Sequence, residues 1–144
     1  CMPHGPIHCF SAGMTQQHTI LIVDDEPHIA AVVAAKLRRC GLRVVTAADG
    51  RDALSVLRTE AVDLVISDVR MPDTDGVALV RAMAGDARTA HIPVLIITGL
   101  GHDLEDEAML GPRVVGVLRK PFSPRELAAF VQRALPAHPA NRAA

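Results

Sequence analysis

The feature that most constrains the fold is a regular alternation between short apolar runs and segments with helical spacing of apolar residues. Runs this short and this continuously apolar are typical of strands buried on both faces of a parallel sheet. Five such runs are predicted strands: Thr19–Val23, Leu42–Ala47, Asp63–Ser67, Pro93–Thr98 and Val114–Leu118.

Helical spacing follows each predicted strand. The first predicted helix carries Ile29, Val32, Val33 and Leu37 and ends before Gly41. The second begins at the capping residue Asp49, and the third contains Leu79, Val80 and Met83 after the turn sequence "MPDTDG". Residues 101–112 predict a short acidic helix. The fifth has a capping box of Ser123 and Glu126, Pro124 at its first position, and an apolar stripe of Leu127, Phe130, Val131 and Ala134.

This alternation predicts an α/β fold, a (βα)5 doubly wound domain with a parallel five-stranded sheet covered on both faces. For five strands the common order is 2-1-3-4-5, the flavodoxin-like arrangement. Ligands of such sheets bind beyond the carboxyl ends of the strands, where the strand order reverses. Here we expect that point between the first and third strands.

The 144-residue length predicts one domain with short tails. We expect a domain at 19–135 and an N-terminal tail at 1–18, either disordered or left from an expression vector, with Met14 as a candidate natural start. Residues 136–144 are predicted to be a C-terminal tail or the start of a linker. The protein is therefore expected to be either a stand-alone domain or a domain of a larger protein.

Composition argues against several classes of protein. The net charge is −1, without the basic stripe of a nucleic-acid-binding module, and no apolar run approaches the ~20 residues that cross a bilayer. Three cysteines, Cys1, Cys9 and Cys40, are odd in number and lack CxxC spacing, which argues against a disulfide framework or a zinc site. We therefore expect a reduced, cytoplasmic protein.

Polar side chains follow four of the predicted strands. Asp24 and Asp25 follow the first, within "ILIVDDEP", and Asp68, Thr98 and Lys120 follow the third, fourth and fifth. Carboxylates at the end of a buried strand are costly unless cations compensate them. Three carboxylates, one hydroxyl and one ammonium suit a divalent cation such as Mg²⁺ together with a phosphoryl group.

The segments "ILIVDDE", "DLVISDVRMPDTDG", "VLIITG" and "VLRKPF" occur in this order on the (βα)5 pattern. Together they resemble the receiver domain of two-component response regulators, and the resemblance covers roughly 19–135. It implies that Asp68 attacks a phosphorylated histidine and becomes an acyl phosphate, that Lys120 pairs with the phosphoryl group, and that Thr98 moves to hydrogen-bond it. It also implies a cis peptide bond between Lys120 and Pro121.

The resemblance further implies a Mg²⁺ site. Asp25 is expected to ligate the ion directly and Asp24 directly or through water, together with Asp68 and the backbone carbonyl of Arg70. The implied phosphodonor is a sensor histidine kinase or a histidine phosphotransfer protein. The implied signal is a surface change around the fourth predicted helix, the fifth strand and the fifth helix, read by an unidentified downstream protein or output domain.

Each of these residues has another interpretation in isolation. Asp24 or Asp25 could cap the first helix, with Pro27 in its first turn. Asp68 and Lys120 could be solvated surface residues, and Thr98 a β-branched strand residue. "PDTDG" resembles part of a calcium loop, but the other ligands of such a loop are missing and a turn is favoured. Only the occurrence of all these residues together predicts a site.

Two other functions stay open. A haloacid-dehalogenase-like phosphatase also uses Asp, Thr or Ser, and Lys, but it places DxD after the first strand, where this chain has Glu26 as third member. A binding module that uses the fold without phosphorylation is the other. The receiver resemblance implies no enzyme activity beyond the chain's own phosphoryl transfer and dephosphorylation.

Some positions depart from the receiver pattern. Many receivers carry Tyr or Phe three residues before the lysine, where this chain has Val117, so the usual coupling of Thr to an aromatic ring is in doubt. Gly99 leaves access to the phosphoryl group open, and Leu100 is apolar where a polar residue is frequent. The acidic run at 103–107 and the arginines Arg119, Arg125 and Arg133 allow two interpretations, paired charges across a homodimer interface or a solvated surface.

Overall fold

The structure, a computed structural model, describes residues 17–68, 76–99 and 114–135. Five strands and four helices lie in these residues: β1 (Thr19–Val23), α1 (Pro27–Arg39), β2 (Arg43–Ala47), α2 (Gly50–Thr59), β3 (Leu64–Asp68), α3 (Gly76–Ala84), β4 (Val94–Thr98), β5 (Val114–Arg119) and α4 (Pro124–Ala134). Helix α4 is the fifth helix of the sequence prediction. The predicted acidic helix at 101–112 and most of the predicted turn at 71–76 lie outside the described residues.

All five strands form one parallel sheet in the order β2-β1-β3-β4-β5. The predicted doubly wound topology and strand order are therefore confirmed. In the middle of the sheet, Ile22 of β1 pairs with Thr46 of β2 on one side and with Ile66 of β3 on the other. The pairing of β4 with β5 is regular except for a shift between Val94 and Leu95.

The core consists of two layers, one on each face of the sheet. Ile20 and Ile22 of β1 belong to the layer under α1 and α4, whereas Leu21 and Val23 belong to the layer under α2 and α3. Every position of β1, β3 and β4 is buried, as expected for strands covered on both faces. Val, Leu, Ile and Ala fill most of both layers, since the chain contains no Trp or Tyr and only three Phe.

Two helices begin at the capping residues that the sequence predicts, Asp49 and Ser123. The Asp49 carboxylate accepts a hydrogen bond from the backbone N–H of Asp52 at 2.8 Å, and the Ser123 hydroxyl accepts one from the N–H of Glu126 at 3.0 Å. Each bond satisfies a backbone donor that the helix leaves without an internal partner.

None of the helices in the described part of the chain has the length and apolarity needed to cross a bilayer.

Strand β5 lies at an edge of the sheet and is held there by a close contact with α4. A Cβ atom on Gly116 would overlap Cζ of Phe130, so the backbone of β5 and the ring occupy adjoining space that only glycine allows. The guanidinium of Arg133 lies 5.3 Å from the centroid of the same ring, within cation–π range. This contact positions the end of β5, from which Lys120 emerges.

Replacing Gly116 tests this contact. We expect Gly116→Ala to lower the free energy of unfolding by about 1–3 kcal/mol, because the added methyl overpacks against Phe130. Gly99→Ala is the matched control, since a Cβ at Gly99 meets no atom within 4 Å. Its stability should stay within about 0.5 kcal/mol of wild type. Denaturant unfolding of the three proteins measures both effects, and equal stabilities would contradict the packing argument.

Candidate functional site

Two neighbouring strands bring their acidic residues to the same edge of the sheet. Val23, the last residue of β1, pairs with Ser67 of β3, so Asp24 and Asp68 follow at the same level. The backbone N–H of Asp24 still bonds to the carbonyl of Ala47 at 3.1 Å, which continues the β1–β2 pairing one residue beyond β1. Strand pairing on both sides therefore fixes the position of Asp24.

Four carboxylates converge at this edge. Oxygen atoms of Asp24, Asp25, Glu26 and Asp68 all lie within 4.8 Å of one another. Asp24 and Asp68 are buried, with 5% and 6% of their surface exposed, whereas Asp25 is exposed and Glu26 is half-buried. The structure thus brings together the three aspartates singled out in the sequence and adds Glu26, which sequence reasoning missed.

Lys120 supplies a positive charge to this cluster. Its Nζ lies 2.9 Å from Oδ2 of Asp68 and 3.2 Å from Oε1 of Glu26. Its backbone N–H bonds to the carbonyl of Thr98 at 2.8 Å, and the peptide bond to Pro121 is cis, as predicted. The lysine therefore leaves the end of β5 and reaches past β4 to the end of β3.

The charges in the cluster shift two pKa values. Burial raises the pKa of Asp24, and the charges of Asp68 and Glu26 add to this rise, while the N–H of Glu26 and the ammonium of Lys120 oppose it. Burial alone would lower the pKa of Lys120, but the hydrogen bond and charge of Asp68, the hydrogen bond of Glu26 and the charge of Asp24 raise it overall. The site therefore favours an additional cation, which would stabilise the ionised form of Asp24.

Neither of the first two acids caps α1. The N-cap residue is Glu26, without a side-chain capping bond, and Pro27 follows it in the first turn. Instead, Oδ1 of Asp24 accepts a hydrogen bond from the backbone N–H of Glu26 at 2.9 Å. The alternative in which Asp24 or Asp25 caps this helix is wrong, because the helix begins after the third acid and its N-cap is Glu26.

Thr98 ends β4 beside Asp68 and is buried, with 3% of its surface exposed. Asp68 pairs with Ile97, so Thr98 lies one residue further along the neighbouring strand. Its hydroxyl donates a long hydrogen bond, 3.4 Å, to the carbonyl of Gly99. Arg70, whose carbonyl is a predicted metal ligand, lies outside the described residues.

Val117 occupies the position three residues before Lys120. It pairs with Ile96 of β4 and is half-buried against the core layer under α2 and α3.

The donor set suits a hard divalent cation. Carboxylate oxygens are the ligands that Mg²⁺ prefers, and two of the four carboxylates here are buried and therefore partly desolvated. Among the described residues, the ammonium of Lys120 faces four acids, so this part of the cluster carries more negative than positive charge. A bound dication would offset that charge, and the oxygens of Asp24, Asp25, Glu26 and Asp68 lie close enough together to hold one.

Comparison with known proteins identifies a family whose model matches most of the chain. Residues 20–132 match the family model of the response regulator receiver domain. A probable transcriptional regulator, ycf27, of Cyanidium caldarium is 37% identical over 120 residues, which are 83% of this chain and 47% of that protein. The chain spans about half the length of the curated relatives it matches.

Solved structures give the same result. The chemotaxis protein CheY4 of Vibrio cholerae superposes with a TM-score of 0.76 at 33% identity, covering 83% of this chain and 100% of that one. The receiver domain of the sensor histidine kinase PA1611 of Pseudomonas aeruginosa has a TM-score of 0.73 at 29% identity over 83% of this chain and 98% of that one. That domain has a magnesium ion coordinated in its active-site cleft. On its fold, its strand-end residues and this family match, the chain belongs to the response regulator receiver domain family.

Proposed function

We propose that this receiver domain accepts a phosphoryl group on Asp68 from a phosphohistidine of a partner protein. The observation that carries the proposal is the 2.9 Å ion pair between Lys120 and the buried carboxylate of Asp68, with further carboxylates beside it. An aspartate on the central strand, an adjacent ammonium and a cation site are the parts that phosphoryl transfer by positioning and charge neutralisation requires.

In this proposal, an oxygen of Asp68 attacks the phosphorus of the phosphohistidine. The P–N bond breaks, its electron pair returns to the imidazole, and Asp68 becomes an acyl phosphate. The ammonium of Lys120, already in contact with Asp68, pairs with a phosphoryl oxygen. Thr98 exchanges its long bond to Gly99 for a bond to another phosphoryl oxygen. The rate enhancement arises mainly from charge complementarity held in place by the sheet.

Asp24, Asp25 and Asp68 would hold Mg²⁺, with the carbonyl of Arg70 as a further proposed ligand. When bound, the ion neutralises part of the charge of the phosphoryl group. Support comes from the four converging carboxylates and from the magnesium ion in the related receiver domain of PA1611. The role of the chain's own acids is to fix the site next to the attacking oxygen of Asp68.

The proposed phosphodonor is a sensor histidine kinase or a histidine phosphotransfer protein, in the cytoplasm. Two of the matching structures are receiver domains of sensor histidine kinases, which supports this class of donor. The curated relatives include transcriptional regulators about twice as long as the matched segment, so an output domain or a separate downstream protein is the proposed recipient of the signal. The proposed chemistry is limited to the chain's own phosphoryl transfer and dephosphorylation.

We further infer that the signal passes without an aromatic switch. A valine has no ring that can turn between an exposed and a buried position. Val117 is already half-buried against the core layer under α2 and α3, next to the strand that ends in Thr98. The proposed response to phosphorylation is therefore a shift of β5 and its connected helix rather than a rotamer change at this position.

Phosphorylation is the first measurement. Incubation with a small phosphodonor and Mg²⁺ should add one phosphoryl group by intact mass, and Asp68→Asn or removal of Mg²⁺ should abolish the gain. Asp86→Asn, a change at a half-buried aspartate beyond the end of α3, should leave the mass gain intact. A folded wild-type protein that gains no mass would contradict the proposal, and steady turnover of a phosphate ester would favour the phosphatase alternative.

Asp24→Asn tests the electrostatics of the cluster. Since burial raises the pKa of Asp24 above its ordinary value of 3.8, the folded chain holds this proton to higher pH than the unfolded chain. The ionised aspartate therefore destabilises the metal-free protein as the pH rises above that range. At pH 7 without Mg²⁺ we expect Asp24→Asn to raise the free energy of unfolding.

Added Mg²⁺ should reverse this order. It should stabilise wild type in proportion to the logarithm of its concentration and leave Asp24→Asn nearly unchanged, because ligands stabilise the state that binds them. Thermal unfolding at several Mg²⁺ concentrations measures both effects. A metal-free Asp24→Asn protein less stable than wild type would refute the stated charge balance.

Val117→Ala separates packing from signalling. We expect it to lower the free energy of unfolding by about 1–2 kcal/mol through lost burial, while phosphoryl uptake stays within about twofold of wild type. Hydrogen exchange of β5 with and without phosphorylation should still differ in this variant. If the difference disappears in Val117→Ala but persists in Leu118→Val, a packing change on the same strand, the side chain of Val117 transmits the signal itself.

A further inference from the structure

The residue of the cluster to which the proposed function gives no role is Glu26. We propose that Glu26 is a positioning residue that competes with the phosphoryl group for Lys120. Glu26 thereby lowers the affinity of the site for a phosphoryl group and raises its affinity for the cation. This inference rests on the proposed function and assigns a regulatory role within the same site.

The ion pair between Glu26 and Lys120 joins residues 94 positions apart in the chain. Oε1 of Glu26 lies 3.2 Å from Nζ of Lys120, only slightly further than Oδ2 of Asp68 at 2.9 Å. An ammonium has three donors, and the two carboxylates occupy two of them. A phosphoryl oxygen that bonds to Lys120 therefore enters a set of acceptors in which Glu26 is already present.

The backbone and the side chain of Glu26 have separate roles. Its carbonyl accepts the N–H groups of Ile29 and Ala30, both at 3.1 Å, and so begins α1. Its side chain makes no capping bond to the helix. The side chain is 44% exposed, so the carboxylate can withdraw into solvent without disturbing the helix. Changing only the carboxylate should therefore alter the charges at the site and spare the fold.

The negative charge of Glu26 should have opposite effects on the affinities for the cation and for the phosphoryl group. The carboxylate of Glu26 lies within 4.8 Å of Asp24, Asp25 and Asp68, where a negative charge attracts a divalent cation. The same charge repels an anionic phosphoryl group and holds the ammonium that would bind it. Removal of the charge should weaken cation binding and strengthen phosphoryl binding. A structural defect would weaken both, and so would the loss of a direct metal ligand.

The test uses beryllofluoride as the phosphoryl probe and Mg²⁺ alone as the cation, each measured by isothermal titration calorimetry on the full chain. Glu26→Gln keeps the size of the side chain and removes its charge. At saturating Mg²⁺ we expect beryllofluoride affinity to rise about threefold to tenfold, and Mg²⁺ affinity to fall by a similar factor, as for one partly solvated charge close to the site.

Two further variants make the result specific. Glu60→Gln is the matched control, because Glu60 also forms an ion pair, with Arg43 at 2.7 Å, at the end of α2. Both affinities should stay at the wild-type level in this variant. Glu26→Asp keeps the charge on a shorter side chain, so Mg²⁺ affinity should return toward wild type while beryllofluoride affinity remains raised.

The outcomes separate the inference from the proposed function. Opposite changes in the two affinities for Glu26→Gln support competition for Lys120. Unchanged affinities, or a loss of both, overturn it while the phosphorylation of Asp68 stands. If wild type binds neither beryllofluoride nor Mg²⁺, the proposed function fails, and the role of Glu26 fails with it.

Discussion

The ion pair between Lys120 and Asp68 is the interaction on which the arrangement of the site depends. Asp24 and Asp68 are buried at the edge of the sheet, where their carboxylates lose hydration and repel each other. The strand order determines what can compensate them. Strand β4 lies between β3 and β5, and neighbouring strands are ~4.8 Å apart, so a cation from β5 must reach across β4. Lysine has a side chain long and flexible enough to do so.

Much of this architecture could be predicted from local sequence. Each of the strands β1, β3 and β4 contains a short run of at least three consecutive apolar residues, because both faces of the strand are covered, and such runs identify these strands in the sequence. Asp49 and Ser123 cap helices through bonds to residues three positions away, which is also local information. The strand order follows from the common 2-1-3-4-5 arrangement of five-stranded doubly wound sheets, and this order predicts that Asp24 and Asp68 meet.

The features that were missed depend on contacts between distant parts of the chain. The side chain of Glu26 was noted only as the third acid of "DDE", because nothing in the local sequence shows that it reaches Lys120. The start of α1 was ambiguous for a related reason. Asp24 continues the pairing with β2, and this moves the N-cap to Glu26. Gly116 carried a usable signal, since glycine inside a strand often marks a close approach, here of Phe130.

The distances along the chain within the site have a consequence for folding. Lys120 meets a partner 52 residues away in Asp68 and another 94 residues away in Glu26. Such contacts form only after long loops have closed, so the binding site is absent from any partly folded chain that lacks β5. Ligand binding should consequently stabilise the whole folded domain against unfolding, and not only the residues around the site. In a cell, an occupied site would then protect the entire domain from proteases that act on unfolded chains.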